Sequence, residues 1–170
     1  MKVAVTGHRP TKLGYEFEHV GPYTDALKLL FTDFFCKNDV ELAITGMALG
    51  VDQIFAVCAI RCKVPVLACL PCPEQSERWS KKAQADWNMI LRHRLVTYEV
   101  VSKAYTPKCM QQRNEFMVDA CDLLLAVWDE SGGGTAKCVH YADRVDVPRA
   151  TLSPQAVLDG ERFGCALTRR

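Results

Sequence analysis

The sequence predicts an α/β fold, a doubly wound and mainly parallel sheet with helices on both faces. Three observations carry that expectation. Short apolar runs rich in branched residues alternate with helical patterns of about 12 to 18 residues. The turns that leave the apolar runs are repeatedly built on glycine. One run, Leu95 to Val101, alternates polar and apolar residues, as a strand near a sheet edge does.

Lys2 to Thr6 reads as a first, central strand, too short for a helix, and it stops at Thr6-Gly7-His8-Arg9-Pro10. Residues 11 to 21 show no period and read as a loop. From Pro22 the stripe Leu27, Leu30, Phe31 and Phe34 predicts a helix ending near Lys37 to Asp39. Val40 to Thr45 is the second strand, and the turn Gly46 to Gly50 leads into a helix from Val51 to Cys62. Asp52 falls in its first turn, where the helix dipole favours a carboxylate and a ligand hydroxyl could also meet it.

Val64 to Leu70 is the third strand. After the exit loop Pro71 to Ser76, a helix with the core face Trp79, Ala83, Trp87, Ile90 and Leu91 is expected to reach about Arg94. Trp79 on that stripe reads as core before it reads as a stacking platform. Leu95 to Val101 is the fourth strand, and a helix follows from about Lys108 to Ala120. Its apolar stripe of Met110, Met117 and Cys121 is completed by Arg113 and Asn114. A guanidinium on a buried face costs several kcal/mol unless it meets an anion or a full set of hydrogen bonds. Arg113 is therefore either a ligand contact or the partner of an internal carboxylate such as Asp119, Asp122 or Asp129.

Asp122 to Trp128 is the fifth strand, followed by Asp129 to Thr135 with three successive glycines, a helix over Ala136 to Asp146 and a sixth strand at Val147 to Leu152. Glycines 132, 133 and 134 let main-chain N–H groups converge on an anion, and the start of the next helix adds its unpaired amides and the Thr135 hydroxyl. A plain flexible turn is the alternative for that segment. One domain spanning 1 to 152 is expected, with 153 to 170 as a tail or edge covering.

The 170 residues suffice for one sizeable core, and 49% apolar against 24% charged residues is ordinary globular composition. A net charge of +1 gives no footprint for duplex DNA, and no basic run interleaved with aromatics is present. Nucleic acid is thus not the expected partner, nor is a membrane, and the chain is read as cytoplasmic with its nine cysteines reduced. Cys58 and Cys62 read as core. Cys69 and Cys72 have C-x-x-C spacing without a second pair, so no metal is expected.

In a doubly wound sheet, ligands bind beyond the carboxyl ends of the strands, where the strand order reverses. The turns Gly7-His8-Arg9, Gly46 to Asp52, Pro71 to Gln75 and Asp129 to Thr135 all fall on that edge. The ligand-binding residues expected are Gly7, His8, Arg9, Gly46, Gly50, Asp52, Gln75, Arg113, Asn114, Asp129, Gly132, Gly133, Gly134 and Thr135. Neither the P-loop nor the G-x-G-x-x-G fingerprint is present, which argues against an ordinary ATPase or nicotinamide dehydrogenase.

Thr6-Gly-His-Arg-Pro10, Gly46-Met-Ala-Leu-Gly-Val-Asp-Gln53, Met110-x-x-Arg-Asn-x-x-Met-Val-Asp119 and Gly133-Gly-Thr135 together resemble the YpsA-like family of the SLOG superfamily. That superfamily joins the Smf/DprA DNA-processing proteins to the Lonely Guy phosphoribohydrolases. Over residues 2 to 152 the resemblance implies a Rossmann-like domain that binds or senses a nucleotide or nucleotide-derived ligand. It also raises two alternatives, hydrolysis of a nucleotide N-glycosidic bond and binding of single-stranded nucleic acid.

For catalysis, Arg113 and Met117 match the arginine helix of Lonely Guy enzymes. The glutamate those enzymes carry three residues beyond the turn threonine is Cys138 here. Such cleavage builds an oxocarbenium-like sugar that a carboxylate usually steadies. Arg113 and Asp129 are the catalytic candidates, with Glu130 or Asp52 as further substitutes, and binding is expected before catalysis. The expected partner is a nucleotide-like small molecule, with homo-oligomers allowed and no resident cofactor.

Overall fold

A computed structural model describes residues 1 to 9 and 21 to 163. Pro10 and most of the loop expected at 11 to 21, like the end of the expected tail, lie outside those residues. The elements run β1 Lys2–Gly7, α1 Pro22–Lys37, β2 Leu42–Thr45, α2 Val51–Arg61, β3 Val66–Leu70, α3 Lys81–Leu91 and β4 Val96–Val100. Then follow α4 Cys109–Asp119, β5 Leu123–Val127, α5 Gly134–Arg144, β6 Arg149–Leu152 and α6 Pro154–Leu158.

The six strands form one sheet in the order β4-β3-β2-β1-β5-β6, and every pairing is parallel. This is the Rossmann-like α/β architecture the sequence predicts. The period of two along each central strand divides the core into two layers. Val3, Val5, Leu123, Leu125 and Val127 face α1, α2, α3 and α6. Ala4, Leu124 and Ala126 face the opposite way, toward Met117 and Val118 of α4 and Ala136, Cys138 and Val139 of α5. The chain winds outward from β1 to β4, then returns to place β5 on the other flank of β1. The strand order therefore reverses between β1 and β5.

Several ends differ from expectation for local reasons. β3 begins at Val66 because Pro65 has no N–H to give the ladder, although its carbonyl accepts from the Ala43 amide at 2.9 Å. Trp79 precedes α3 and is not on it: Ser80 caps that helix by accepting from the Ala83 amide at 3.2 Å. Trp79 packs edge-to-face on Trp87, with ring centroids 6.2 Å apart. α5 starts at Gly134, two residues before the expected start. β4 lies at the sheet edge, as its alternation predicts, and its Tyr98 is exposed. Past β6, Ser153 caps the short α6, and Val157 and Phe163 pack on the α1 side of the sheet. No helix among the described residues is long and apolar enough to cross a membrane.

Candidate functional site

A cavity of about 330 Å³ opens beyond the carboxyl ends of β1 and β5. Its walls come from the turn after β1, the start of α2, one face of α4 and the glycine turn that begins α5. Of the residues singled out from sequence, Gly7, His8, Arg9, Asp52, Arg113, Asn114, Gly133, Gly134 and Thr135 line it. Val5, Thr6, Ala48, Met110 and Met117 also line it. Met110 and Met117 are one turn before and after Arg113 and Asn114, so the apolar stripe of α4 was the signal for them. Thr6 is simply the residue before the first glycine.

Arg113 is the site's main charge. Its side chain is 9% exposed and its Nε has no hydrogen-bond partner among the described residues. The nearest carboxylate is Asp52, with Nη1 to Oδ2 at 3.6 Å, longer than a direct hydrogen bond. This corrects the expectation of a pair with Asp119, Asp122 or Asp129. Asp119 instead accepts from the Tyr141 hydroxyl at 2.9 Å, Asp122 accepts from the Lys2 amide at 2.7 Å, and Asp129 is joined to His8. Those carboxylates are each satisfied by a neighbour on an adjacent strand, turn or helix.

Gly46 and Gln75 act behind the wall and do not line the cavity. A Cβ on Gly46 would fall 1.1 Å from Arg113 Nη1, so the guanidinium occupies the space that any other residue's side chain would fill. Gln75 donates through Nε2 to the Gly46 carbonyl at 2.9 Å. Met47 holds a left-handed φ of 53° in the same turn, with its amide on Thr45 Oγ1 and its carbonyl accepting from Gln53 Nε2. Gly50, at φ 96°, precedes the first residue of α2. These bonds fix the turn over which Arg113 lies.

Asp52 is buried, and burial lifts its carboxyl above the ordinary range against the opposing pull of the Arg113 charge and the Ala48 amide. Its Oδ2 accepts from that amide at 3.2 Å. On the other wall, Gly133 at φ 140° lets α5 begin with its first-turn amides at the cavity, and Asn114 Nδ2 donates to the Gly134 carbonyl at 3.2 Å. That bond ties the arginine helix to the glycine turn.

His8 is almost fully buried and joins Asp129 through Nε2, with Ser131 Oγ 3.5 Å from the same nitrogen. Asp129, partly exposed, stands outside the cavity lining, and so does Gly132. The hydroxyl and amide of Ser131, followed by His8, hold the Asp129 carboxyl well below the usual carboxylate range. Ser131 was not singled out from sequence, although its place two residues after an aspartate is the spacing of a local Asp-to-amide turn, here 3.0 Å.

Cys138 is fully buried beneath the cavity beside Thr6, and burial pushes its thiol up to about 12. Cys69 is pushed up to about 12 and Cys72 to about 11 for the same reason, so all three are protonated at neutral pH. The C-x-x-C pair is thus two core thiols.

Residues 3–149 match the YspA SLOG family. A UPF0398 protein of Bacillus cereus (strain G9842) is 30% identical over 146 residues, covering 81% of this chain and 79% of its own length. Among solved structures, DNA processing protein A from Helicobacter pylori, described for its single-stranded DNA binding mode, superposes with a TM-score of 0.65 at 16% identity. That match covers 98% of this chain and 76% of the other. DNA processing protein A from Streptococcus pneumoniae gives a TM-score of 0.62 at 13% identity over 89% of this chain, which spans about half (49%) of that protein. At these identities the two structures speak for the shared fold.

Proposed function

This chain belongs to the YspA SLOG family, and from that premise we propose that its cavity binds a nucleotide or nucleotide-derived ligand by its phosphate. The observation that carries the reading is Arg113, a buried guanidinium whose Nε is unpartnered and which lines the same cavity as the first turn of α5. A desolvated cation and the positive end of a helix aimed into one space favour an anion. The cavity's size and its apolar Met110 and Met117 suit a base or sugar beside that anion.

Binding is favoured over hydrolysis at Cys138, because a buried, protonated thiol cannot stand in for a carboxylate that steadies a cationic sugar. The test is calorimetry against nucleoside monophosphates, ADP-ribose, NAD and cyclic nucleotides. At least one should bind, and Arg113→Gln should weaken it by about 10- to 100-fold, the worth of about 1.5–3 kcal/mol for a charged hydrogen bond. A panel without a binder contradicts the reading.

Single-stranded nucleic acid is the second reading, favoured by a distribution of charge that sequence order hides. Arg78, Lys81 and Lys82 follow β3, Lys103 and Lys108 follow β4, and all five are exposed. None is ion-paired with a described residue, whereas Lys28, Lys37, Arg144, Arg149 and Arg162 are. Fluorescence anisotropy of a labelled oligonucleotide should then fall steeply with salt, and a flat signal at low salt dismisses this reading.

A further inference from the structure

We propose that Asp52 is the resident counter-ion of Arg113, which an arriving anion displaces, so that anion binding in this cavity takes up one proton at the Asp52 carboxyl. The inference rests on the reading of the cavity as an anion site and assigns Asp52 a part different from that of a contact for a ligand hydroxyl.

The geometry is that of a loose internal pair. Asp52 enters from the first turn of α2 and Arg113 from the middle of α4, and their side chains are 7% and 9% exposed. At 3.6 Å they share charge without a direct hydrogen bond, while Arg113 Nε remains unpartnered in a cavity wall. The guanidinium cannot retreat from the pair, because it lies over the bare Cα of Gly46 with the turn held beneath it by Gln75.

Among the described residues, the groups that act on Asp52 are few. Arg113 of α4 and, more weakly, Arg9 after β1 draw it toward the charged form, as do the amides of Ala48 and Gly46. From below come the thiols of Cys69 on β3 and Cys138 on α5, both neutral at physiological pH. A dianion bound to Arg113 therefore adds two negative charges beside a carboxylate that has no other strong cation. In a site shielded from water that repulsion is large, and arginine has no proton to release. The carboxyl, already held above its ordinary range by burial, relieves it by taking a proton from solvent. The balance is one O–H bond formed at Asp52, one solvent proton consumed and no covalent change in the anion.

Sulfate is the probe, since it has no hydroxyl for Asp52 to contact and stays dianionic across the range. The whole chain is titrated by calorimetry at about pH 6 and about pH 8 in buffers of unequal ionisation enthalpy. The wild type should bind about tenfold more weakly at the higher pH, with net proton uptake at an intermediate pH. Asp52→Asn keeps an acceptor for the Ala48 amide, and it should bind about tenfold more tightly than wild type near pH 8, with no pH dependence.

Sulfate binding in the wild type without proton uptake overturns the proposal and leaves the anion site standing. Weaker binding by Asp52→Asn at both pH values, or a pH dependence that persists in it and so belongs to another group, overturns it equally. No sulfate binding at either pH, or binding indifferent to Arg113→Gln, removes the anion site itself and the proposal with it. The wild-type buffer comparison needs no variant to fold.

Discussion

Gly46 and Arg113 depend on one another. A methyl group at Gly46 would sit on the guanidinium, so Gly46→Ala should push Arg113 from its seat, destabilise the fold by about 1–3 kcal/mol and abolish anion binding. Thermal unfolding and ligand titration of that variant check both effects; wild-type affinity would mean that the seat is not needed. Asp129 makes stability depend on pH. Its folded carboxyl holds a proton less firmly than the unfolded one, because Ser131 and His8 bond its charged form. Its stabilisation is thus complete above the ordinary carboxylate range of about 4 and drains away as pH falls below it. The melting-temperature gap between wild type and Asp129→Asn should shrink from about pH 7 to about pH 3, and a gap that widens contradicts the assignment. Arg113 was legible in the sequence as a cation on an apolar stripe. Its pairing with Asp52 was not, because a contact between α2 and α4 leaves no periodic trace.

At the scale of elements, α4 and α5 form the site together, and the Asn114 to Gly134 bond links them at the cavity, with the Tyr141 to Asp119 bond farther along both helices. Asn114→Ala should cost about 1 kcal/mol in stability and weaken ligand binding, by loosening the glycine turn from the arginine helix. Ser80→Ala is the matched control. It removes the α3 cap and should also cost about 1 kcal/mol, with no change in affinity. Equal affinity losses in both variants, read by calorimetry, would show that binding follows stability and not the link. Helix periods made α1, α2 and α4 legible within a residue or two. α5 starts at Gly134, two residues before the helix read from Ala136, because Gly134 and Thr135 read as turn residues. α6 escaped notice because five residues are too few for a period, although the Ser153-Pro154 start is a common cap sequence.

At the scale of the molecule, the reversal of strand order between β1 and β5 puts the glycine turns and Arg113 around one cavity, with the two core layers beneath it. Phe55, fully buried between Phe31 and Phe35, anchors the larger layer, and Phe55→Ala should lower stability by about 3–5 kcal/mol in chemical unfolding. The sheet and its switch point were legible because apolar runs and helical periods alternate along the whole chain. The placement of Arg78, Lys81 and Lys82 after β3 and of Lys103 and Lys108 after β4 was not, since the pairing of those two strands is not written in the sequence order. Whether Arg113 holds a phosphate at the start of α5 is decided by a crystal structure with a bound nucleoside 5′-monophosphate. The phosphate is predicted within about 3 Å of Arg113 and of the first α5 amides, with the base toward Met110 and Met117. A nucleotide seated elsewhere, with Arg113 still facing only Asp52, would contradict it.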